Sequence, residues 1–274
     1  MKVLKLWYVT MLCWSSYLQA CELRFAFDTP FPPHIILDTQ RYHGLNIQLF
    51  ETLAAEVGCQ VRFVKSPWAR ALRLVQQGQI DVISQLSLNP ERAKDLAFIG
   101  PHLQERMWFI ADPALFPSLR TINDLAEQAP TSVIAVLNGG YYGPKFASLK
   151  KNPAFLQRLF PILSNEDKLA LLESGRVQAV LEEELAWLWR TRTTKTPYQP
   201  LLLVHDNPVY FGINKHSVSS ELRGQLAEAW QKLYQTGRLQ IIRASYFTSS
   251  EPQAQMLQQQ NLQLSQLPSP NPVL

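Results

Sequence analysis

The sequence predicts an α/β fold of two lobes, each with a parallel sheet covered by helices. Apolar stretches that alternate like strands precede longer stretches with helical spacing, in the order strand–helix–strand–helix–strand. The stretch LVQQGQIDVI at residues 74–83 and the stretch LLESGRVQAV at residues 171–180 share one pattern of apolar residues around a glycine. This repeat favours two lobes built on one plan over a single continuous sheet.

The first lobe begins with a strand and a proline-rich loop. Gly44 opens the first predicted helix and Gly58 stops it. Ser66-Pro67 starts the second helix, and Gly78 ends it. The predicted strands of this lobe are Leu23–Asp28, Val61–Val64 and Ile80–Leu86.

The second lobe repeats this order. A strand at Ser132–Leu137 leads into a turn at residues 138–140 and a helix that starts at Tyr141. Ser164-Asn165-Glu166-Asp167 resembles a capping box. The elements predicted after it are the helix Lys168–Ser174, the strands Val177–Leu181 and Val209–Asn214, and the amphipathic helix Ser220–Gln235. We expect this last helix to pack back on the first lobe.

The ends of the chain predict export and a loose tail. Residues 1–20 have a basic start, a short apolar core and Ala20 at the cut, as in a secretory signal peptide, so we expect a periplasmic protein. Without them the chain has 24 basic and 22 acidic residues, a balance too neutral to indicate nucleic-acid binding. The glutamine- and proline-rich residues 249–274 predict a disordered tail.

Two cysteines remain after the predicted cut. Cys21 and Cys59 each stand two residues before a predicted strand, so parallel neighbouring strands would bring the two thiols level. In an oxidising compartment such a pair favours a disulfide. The alternative is a lipoprotein with Cys21 as its lipidated first residue, because residues 18–21 resemble a lipobox.

The stretch around residue 90 contains a candidate anion site. Asn89-Pro90 is typical of a helix start, because Asn can cap free N–H groups and Pro has none to satisfy. Arg92 would then lie in the first turn, where a cation opposes the helix dipole. A carboxylate or phosphate that binds there explains this placement. Alternatively, Arg92 pairs with Glu91 or Asp95 on a solvated face.

Six short motifs follow one another in an order typical of one protein family. They are PF at residues 30–31, GLNIQL at 44–49, PWAR at 67–70, GQIDV at 78–82, SLNPER at 87–92 and GRVQAV at 175–180. With these motifs, residues 23–247 resemble the bacterial periplasmic solute-binding proteins of family 3, the polar amino-acid type of ABC-transporter substrate-binding proteins.

The resemblance implies the type II periplasmic-binding-protein fold. Its two lobes are joined by two crossover strands, here near Glu105–Phe109 and His205–Phe211, which act as a hinge around a ligand cleft. The implied boundaries are residues 21–107 and 207–248 for lobe 1 and residues 108–206 for lobe 2.

The resemblance also implies a set of ligand-binding residues. Arg92 would hold the α-carboxylate of the ligand and Glu183 its ammonium group. The other residues that the resemblance assigns to the ligand are Ser87, Asn89, Gly139, Gly140, Tyr141, Phe31 and Trp68. Gln178 stands where the family has an aspartate.

Most of these assignments have an alternative. Phe31 and Trp68 can belong to the core. Residues 182–184 are three glutamates, which suit a solvated helix start. Because they are consecutive, the residue that pairs with the ammonium group can be Glu183 or a neighbour on either side. Tyr141 and Tyr142 can simply cover the turn. The five histidines show no metal-ligand spacing and no GxSxG motif occurs, so we predict no metal site, no cofactor and no serine-hydrolase chemistry.

The leading functional hypothesis is therefore a receptor and not an enzyme. It would bind a small amino-acid-like solute as a monomer and deliver it to an inner-membrane ABC permease. The rival hypothesis is a periplasmic cyclohexadienyl or arogenate dehydratase, in which one of the three glutamates at 182–184 protonates a leaving hydroxyl group. A third possibility is a ligand-sensing subunit for a signalling partner.

Overall fold

A computed structural model describes residues 21–39, 41–165 and 168–247. The predicted signal peptide, the predicted tail, and Glu166 and Asp167 of the predicted capping box lie outside the described residues. In the described part of the chain, no helix is long and apolar enough to cross a membrane.

Strands and helices alternate along most of the chain. The strands are β1 (Cys21–Phe27), β2 (Ile36–Asp38), β3 (Arg41–His43), β4 (Cys59–Lys65), β5 (Val82–Ser87), β6 (Leu96–Ala111), β7 (Ile134–Leu137), β8 (Leu159–Ile162), β9 (Ala179–Glu183) and β10 (Gln199–Asn214). The helices are α1 (Leu45–Glu56), α2 (Trp68–Gln76), α3 (Asp124–Glu127), α4 (Gly143–Leu149), α5 (Pro153–Leu156), α6 (Lys168–Glu173), α7 (Glu184–Thr191), α8 (Ser220–Gln235) and α9 (Arg238–Phe247).

One eight-stranded sheet runs through the molecule, in the order β4-β1-β5-β10-β6-β9-β7-β8. At one end, β1 pairs in parallel with β4 and β5; at the other, β7 pairs in parallel with β8 and β9. The two 16-residue strands β6 and β10 pair antiparallel in the middle. The sequence favoured two lobes without a continuous sheet, and the sheet is in fact continuous. The crossover strands β6 and β10 are long enough to join both halves by hydrogen bonds.

Each half has its own buried core on both faces of the sheet. In the first half, Phe25 and Phe50 pack with Phe211 and with Trp230 from α8, which confirms that the helix at Ser220–Gln235 returns to this half. In the second half, Phe109 and the helices α4 and α5 form one cluster, and Trp187 of α7 belongs to another. The lobe boundaries at residues 107, 206 and 248 stay a prediction.

The repeated sequence motif has the same structural role in both halves. Asp81 stands just before β5 and accepts a hydrogen bond from the backbone N–H of Arg24 at 2.8 Å. Gln178 stands just before β9 and accepts one from the backbone N–H of Val133, also at 2.8 Å. Gln178 keeps this bond because an amide oxygen accepts as a carboxylate oxygen does.

The predicted pairing of the cysteines is present. Cys21 and Cys59 are the first residues of β1 and β4, face each other in the parallel register, and form a disulfide with their Cα atoms 4.5 Å apart. A sulfur atom in a disulfide cannot carry a lipid, so this structure does not fit the lipoprotein alternative.

The loop between β1 and α1 is fixed by a close backbone approach. The N–H of Asn46 donates to the carbonyl of His34 at 3.0 Å, which places the loop against the start of α1. Gly44 has φ of 129°, and a Cβ atom there would lie 2.5 Å from the oxygen of His34. Glycine is required here, since any side chain would displace the loop that carries His34 and Phe31.

Candidate functional site

A cavity of about 90 Å³ lies between the two halves of the molecule. It is bordered by the carboxyl ends of four parallel strands, β1 and β5 from the first half and β7 and β9 from the second. Strand β6 adds Glu105 and Met107, and α2 adds Trp68. Carboxyl ends of parallel strands are the usual position of ligand sites in α/β folds.

Arg92 places a cation in this cavity. Its side chain is 9% exposed, and one guanidinium nitrogen donates to the carbonyl of Ser87 at 3.0 Å. Its guanidinium carbon lies 5.9 Å from the centre of the Tyr141 ring. Burial lowers the pKa of Arg92 from its usual value, although the carboxyl group of Glu105 partly opposes this effect. The remaining N–H groups of this guanidinium can bind a carboxylate in the cavity.

Arg92 does not lie at the start of an α-helix, contrary to the sequence prediction. Residues 92–94 form a single 3-10 turn and not the start of an α-helix, because the buried strand β6 begins at Leu96 and leaves no room for further turns. Asn89 does act as a cap, but its side chain accepts the N–H of Arg92 itself at 2.9 Å. The alternative ion pair of Arg92 with Glu91 or Asp95 is absent from the described residues as well, since Glu91 pairs with Lys94 and Asp95 with His216.

The three consecutive glutamates have three different environments. Glu182 is fully buried and accepts a hydrogen bond from Lys168 Nζ at 2.9 Å. Glu183 is 1% exposed and lines the cavity with Glu182. Glu184 is not part of the lining, and pairs with Arg106 at 3.0 Å. The alternative of a solvated helix start is therefore wrong for Glu182 and Glu183.

Glu183 is held by contacts from both halves. Its Oε2 atom accepts from His34 Nε2 at 3.0 Å and from the backbone N–H of Ala186 at 2.9 Å. A carboxylate oxygen can only accept, so Nε2 of His34 is the donor in this hydrogen bond. Within the described residues, the Oε1 atom of Glu183 is buried without a hydrogen-bond partner. Because Glu183 lines the cavity, a cationic group of a ligand there can supply the missing partner.

Glu105 and Lys168 line the cavity but were missing from the predicted site. Burial and the negative charge of Glu183 raise the pKa of Glu105 to about 8. Burial lowers the pKa of Lys168, although its pairing with Glu182 opposes this effect. Neither residue carries a sequence signal, since Glu105 lies in a predicted crossover strand and Lys168 at a helix start, where exposed charges are common.

Several contacts join the two halves directly beside the cavity. Trp68 Nε1 donates to the carbonyl of Gly139 at 3.2 Å, and the hydroxyl groups of Thr29 and Ser164 lie 2.5 Å apart. Together with the bond between His34 and Glu183, they connect the two halves around the cavity.

The structure brings most of the predicted ligand residues to this cavity. Those in its lining are Phe31, Trp68, Ser87, Arg92, Gly140, Tyr141 and Glu183. Asn89 and Gly139 lie outside it: Asn89 caps the turn of Arg92, and Gly139 contacts Trp68. Tyr142 covers the turn, as the alternative proposed, because its hydroxyl accepts the N–H of Leu137 at 2.8 Å. The ligand roles of all nine residues stay a prediction.

Gln85 is a further lining residue that the sequence did not indicate. Its φ of 54° is rare for a residue with a side chain, and the position lies in the middle of β5. Its Oε1 atom lies 2.8 Å from His102 Nε2, whose ring stacks on Phe211. Strained backbone of this kind concentrates at functional sites. Across the described residues, no three His, Cys, Asp or Glu side chains are arranged to hold a metal ion.

Comparisons with known proteins agree with this architecture. The chain is similar to the amino-acid ABC transporter substrate-binding protein AbpA from Streptococcus pneumoniae bound to L-arginine, at 23% identity and a TM-score of 0.68, over 84% of this chain and 96% of that one. It is also similar to an ancestral arginine-binding protein bound to glutamine, at 21% identity and a TM-score of 0.69, over 82% and 97%.

A third similar structure is the ancestral amino acid-binding protein AncCDT-1, a precursor of cyclohexadienyl dehydratase, at 21% identity and a TM-score of 0.67, over 84% of this chain and 96% of that one. No curated protein matches the chain by sequence. These likenesses confirm the type II periplasmic-binding-protein fold. The model of one family matches residues 23–249. The chain therefore belongs to the bacterial extracellular solute-binding proteins, family 3.

Proposed function

We propose that the protein binds a small amino-acid-like solute in the cavity between its halves and delivers it to an inner-membrane ABC permease. One observation carries this proposal: Arg92 and Glu183 line the same cavity from different halves, and the Oε1 atom of Glu183 has no hydrogen-bond partner among the described residues. A zwitterion with a carboxylate and an ammonium group fits both, and binding it would bridge the halves.

The balance of charges around the cavity supports a zwitterion. Lys168 is neutralised by its pair with Glu182, and Glu183 receives a hydrogen bond from His34. Arg92 retains donors, and Glu183 retains one acceptor atom. An anion without an ammonium group would leave Glu183 Oε1 buried and unpaired, which is costly.

The apolar walls and the compared structures fit a solute of this size. Phe31, Trp68 and Tyr141 supply aromatic surface, as is common in ligand pockets. Two of the similar structures hold arginine or glutamine. Both ligands have the α-carboxylate and α-ammonium groups that the cavity can pair.

A thermal-shift screen of the common L-amino acids tests the proposal. We expect at least one to raise the unfolding temperature of the wild type, as any ligand specific for the folded state does. Arg92→Ala should weaken the affinity for that solute by about ten- to a hundredfold, because a charge-assisted hydrogen bond contributes about 1.5–3 kcal/mol. Arg62→Ala is the matched control, since Arg62 forms an exposed pair with Glu22.

Glu183→Gln should weaken the same affinity, because an amide cannot neutralise an ammonium group. Two results would contradict the proposal: no amino acid stabilises the wild type, or Arg92→Ala binds as tightly as Arg62→Ala. Delivery to a permease requires a separate measurement of uptake in cells that lack or carry the gene.

A second candidate, a dehydratase, is favoured by the state of Glu105. With a pKa of about 8, this carboxyl group keeps its proton at neutral pH. A neutral acid beside Arg92 can protonate a leaving hydroxyl group while the arginine holds a substrate carboxylate. Incubation with prephenate or arogenate decides this candidate, since turnover that Glu105→Gln abolishes would support it and unchanged substrate would remove it.

A further inference from the structure

The cavity contains an acidic cluster that the proposed function uses only in part. Glu105, Glu182 and Glu183 all line it, and each is at most 9% exposed. Glu182 is paired with Lys168, and Glu183 with His34. Glu105 forms no hydrogen bond or ion pair with any described side chain, although a buried carboxyl group is expected to have a partner.

We propose that Glu105 is a ligand-contacting residue that sets specificity: its carboxyl group meets a cationic amino group of the ligand beside Glu183 and releases a proton as that group enters. This inference rests on the proposed binding function. It adds a second acid, from the central strand β6, to the ammonium position that Glu183 occupies in the second half.

The arrangement of charges explains why the two acids act on one group. Glu105 and Glu183 line the same cavity and their charges interact, so both carboxyl groups attract a cation that binds between them. The ionisable groups around Glu105 are Glu182 and Glu183 on β9, Lys168 on α6, Arg92 in the 3-10 turn and Tyr142 before α4.

The same charges explain why ligand binding releases the proton of Glu105. Without a ligand charge, burial and the two neighbouring carboxylates hold the pKa of Glu105 near 8, and Arg92 and Lys168 only partly offset them. A ligand amino group adds a positive charge and neutralises Glu183. Both effects favour the ionised form of Glu105 and lower its pKa, so the proton leaves when the ligand binds.

The linkage gives a defined pH dependence. Because binding releases a proton, affinity rises with pH up to the pKa of the free protein. For a pKa of about 8 and complete ionisation in the complex, affinity increases about fivefold between pH 7 and pH 8. A neutral solute of the same size gains nothing over this range.

Calorimetric titration with L-arginine and with L-glutamine tests the proposal. Each is titrated at pH 7 in phosphate and in Tris buffer, whose different ionisation enthalpies reveal proton release. We expect about 0.9 proton released per bound amino acid, which is the protonated fraction of an acid with a pKa of about 8. Glu105→Gln should reduce the release nearly to zero and weaken affinity more at pH 8 than at pH 7.

Glu127→Gln is the control, because Glu127 is exposed on α3 and should behave as the wild type. Proton release that persists in Glu105→Gln would overturn the proposal. If neither amino acid binds the wild type, the proposed function fails for these probes. The ionisation of Glu105 is then tested in the ligand-free protein. A glutamate carboxyl resonance that titrates near pH 8 and vanishes in Glu105→Gln would then support the acid cluster, and its absence would refute it.

Discussion

Replacing Glu105 by glutamine should stabilise the ligand-free protein, and by more at higher pH. The pKa of Glu105 rises from 4.5 to about 8 on folding, so between these values the folded chain keeps a proton that the unfolded chain has lost. Raising the pH favours the state with fewer protons, which is the unfolded one. Glu105 therefore lowers the free energy of unfolding as the pH rises from 4.5 to 8, whereas glutamine does not titrate.

The size of the effect follows from the shift. Each pH unit in this window costs about 1.4 kcal/mol for one group that stays protonated only in the folded state. Both pH 5.5 and pH 7.5 lie inside the window, so the stability difference between Glu105→Gln and the wild type should grow by about 2–3 kcal/mol between them. Other titrating groups are common to both proteins and cancel in this difference.

Urea unfolding followed by tryptophan fluorescence measures the effect at the two pH values. Glu105→Asp is a useful companion, because it keeps a buried acid and should retain most of the pH dependence. A stability difference between Glu105→Gln and wild type that is the same at pH 5.5 and pH 7.5 would show that Glu105 ionises normally, and the reasoning about the acid cluster would be wrong.

Four further predictions concern the rest of the molecule. Arg92→Lys should recover only part of the affinity lost in Arg92→Ala, since an ammonium group cannot form the two parallel bonds of a guanidinium, and calorimetry with the identified solute checks this. Cys21 and Cys59 should give no free thiol in the denatured, unreduced protein, and reduction should cost about 4 kcal/mol for a 38-residue separation in urea unfolding. Gly143→Ala should cost at least about 2 kcal/mol, because φ is 83° and the new Cβ would lie 2.5 Å from His205, whereas Gly175→Ala, with nothing within 4 Å, should cost about 1 kcal/mol by thermal unfolding. Saturating solute should reduce the radius of gyration in solution scattering if the halves open without it, and an unchanged curve would indicate a fixed cleft.

The fold could be predicted from the sequence because its signals are local and repeated. The helix Ser220–Gln235 was predicted with the bounds that the structure has, since Ser219 caps its start and Gly237 follows its end. Helix α9 was missed: its positions lack a regular apolar face, and Arg243 is buried within it at 1% exposure.

The site was predictable only where residue type and position both carried a signal. Arg92 and Glu183 were found through motifs of the family, and both line the cavity. Glu105 was missed because nothing local distinguishes a glutamate that faces a cavity from one that faces solvent in an alternating strand. Its surroundings come from β9, α6 and the turn of Arg92, which only the three-dimensional fold brings together.

The discontinuous first half has a consequence for the order in which the chain folds. Phe25 and Phe50 come from the start of the chain, but the residues that cover them, Phe211 and Trp230, come after the whole second half. Contacts of such long sequence separation require closure of a long loop and form late. As the chain emerges from the ribosome, β7, β8 and β9 can assemble before α8 has been synthesised. The core around the N-terminal strands is completed only when the C-terminal helices pack on it. A truncation at the C-terminus should therefore unfold the N-terminal end of the sequence first.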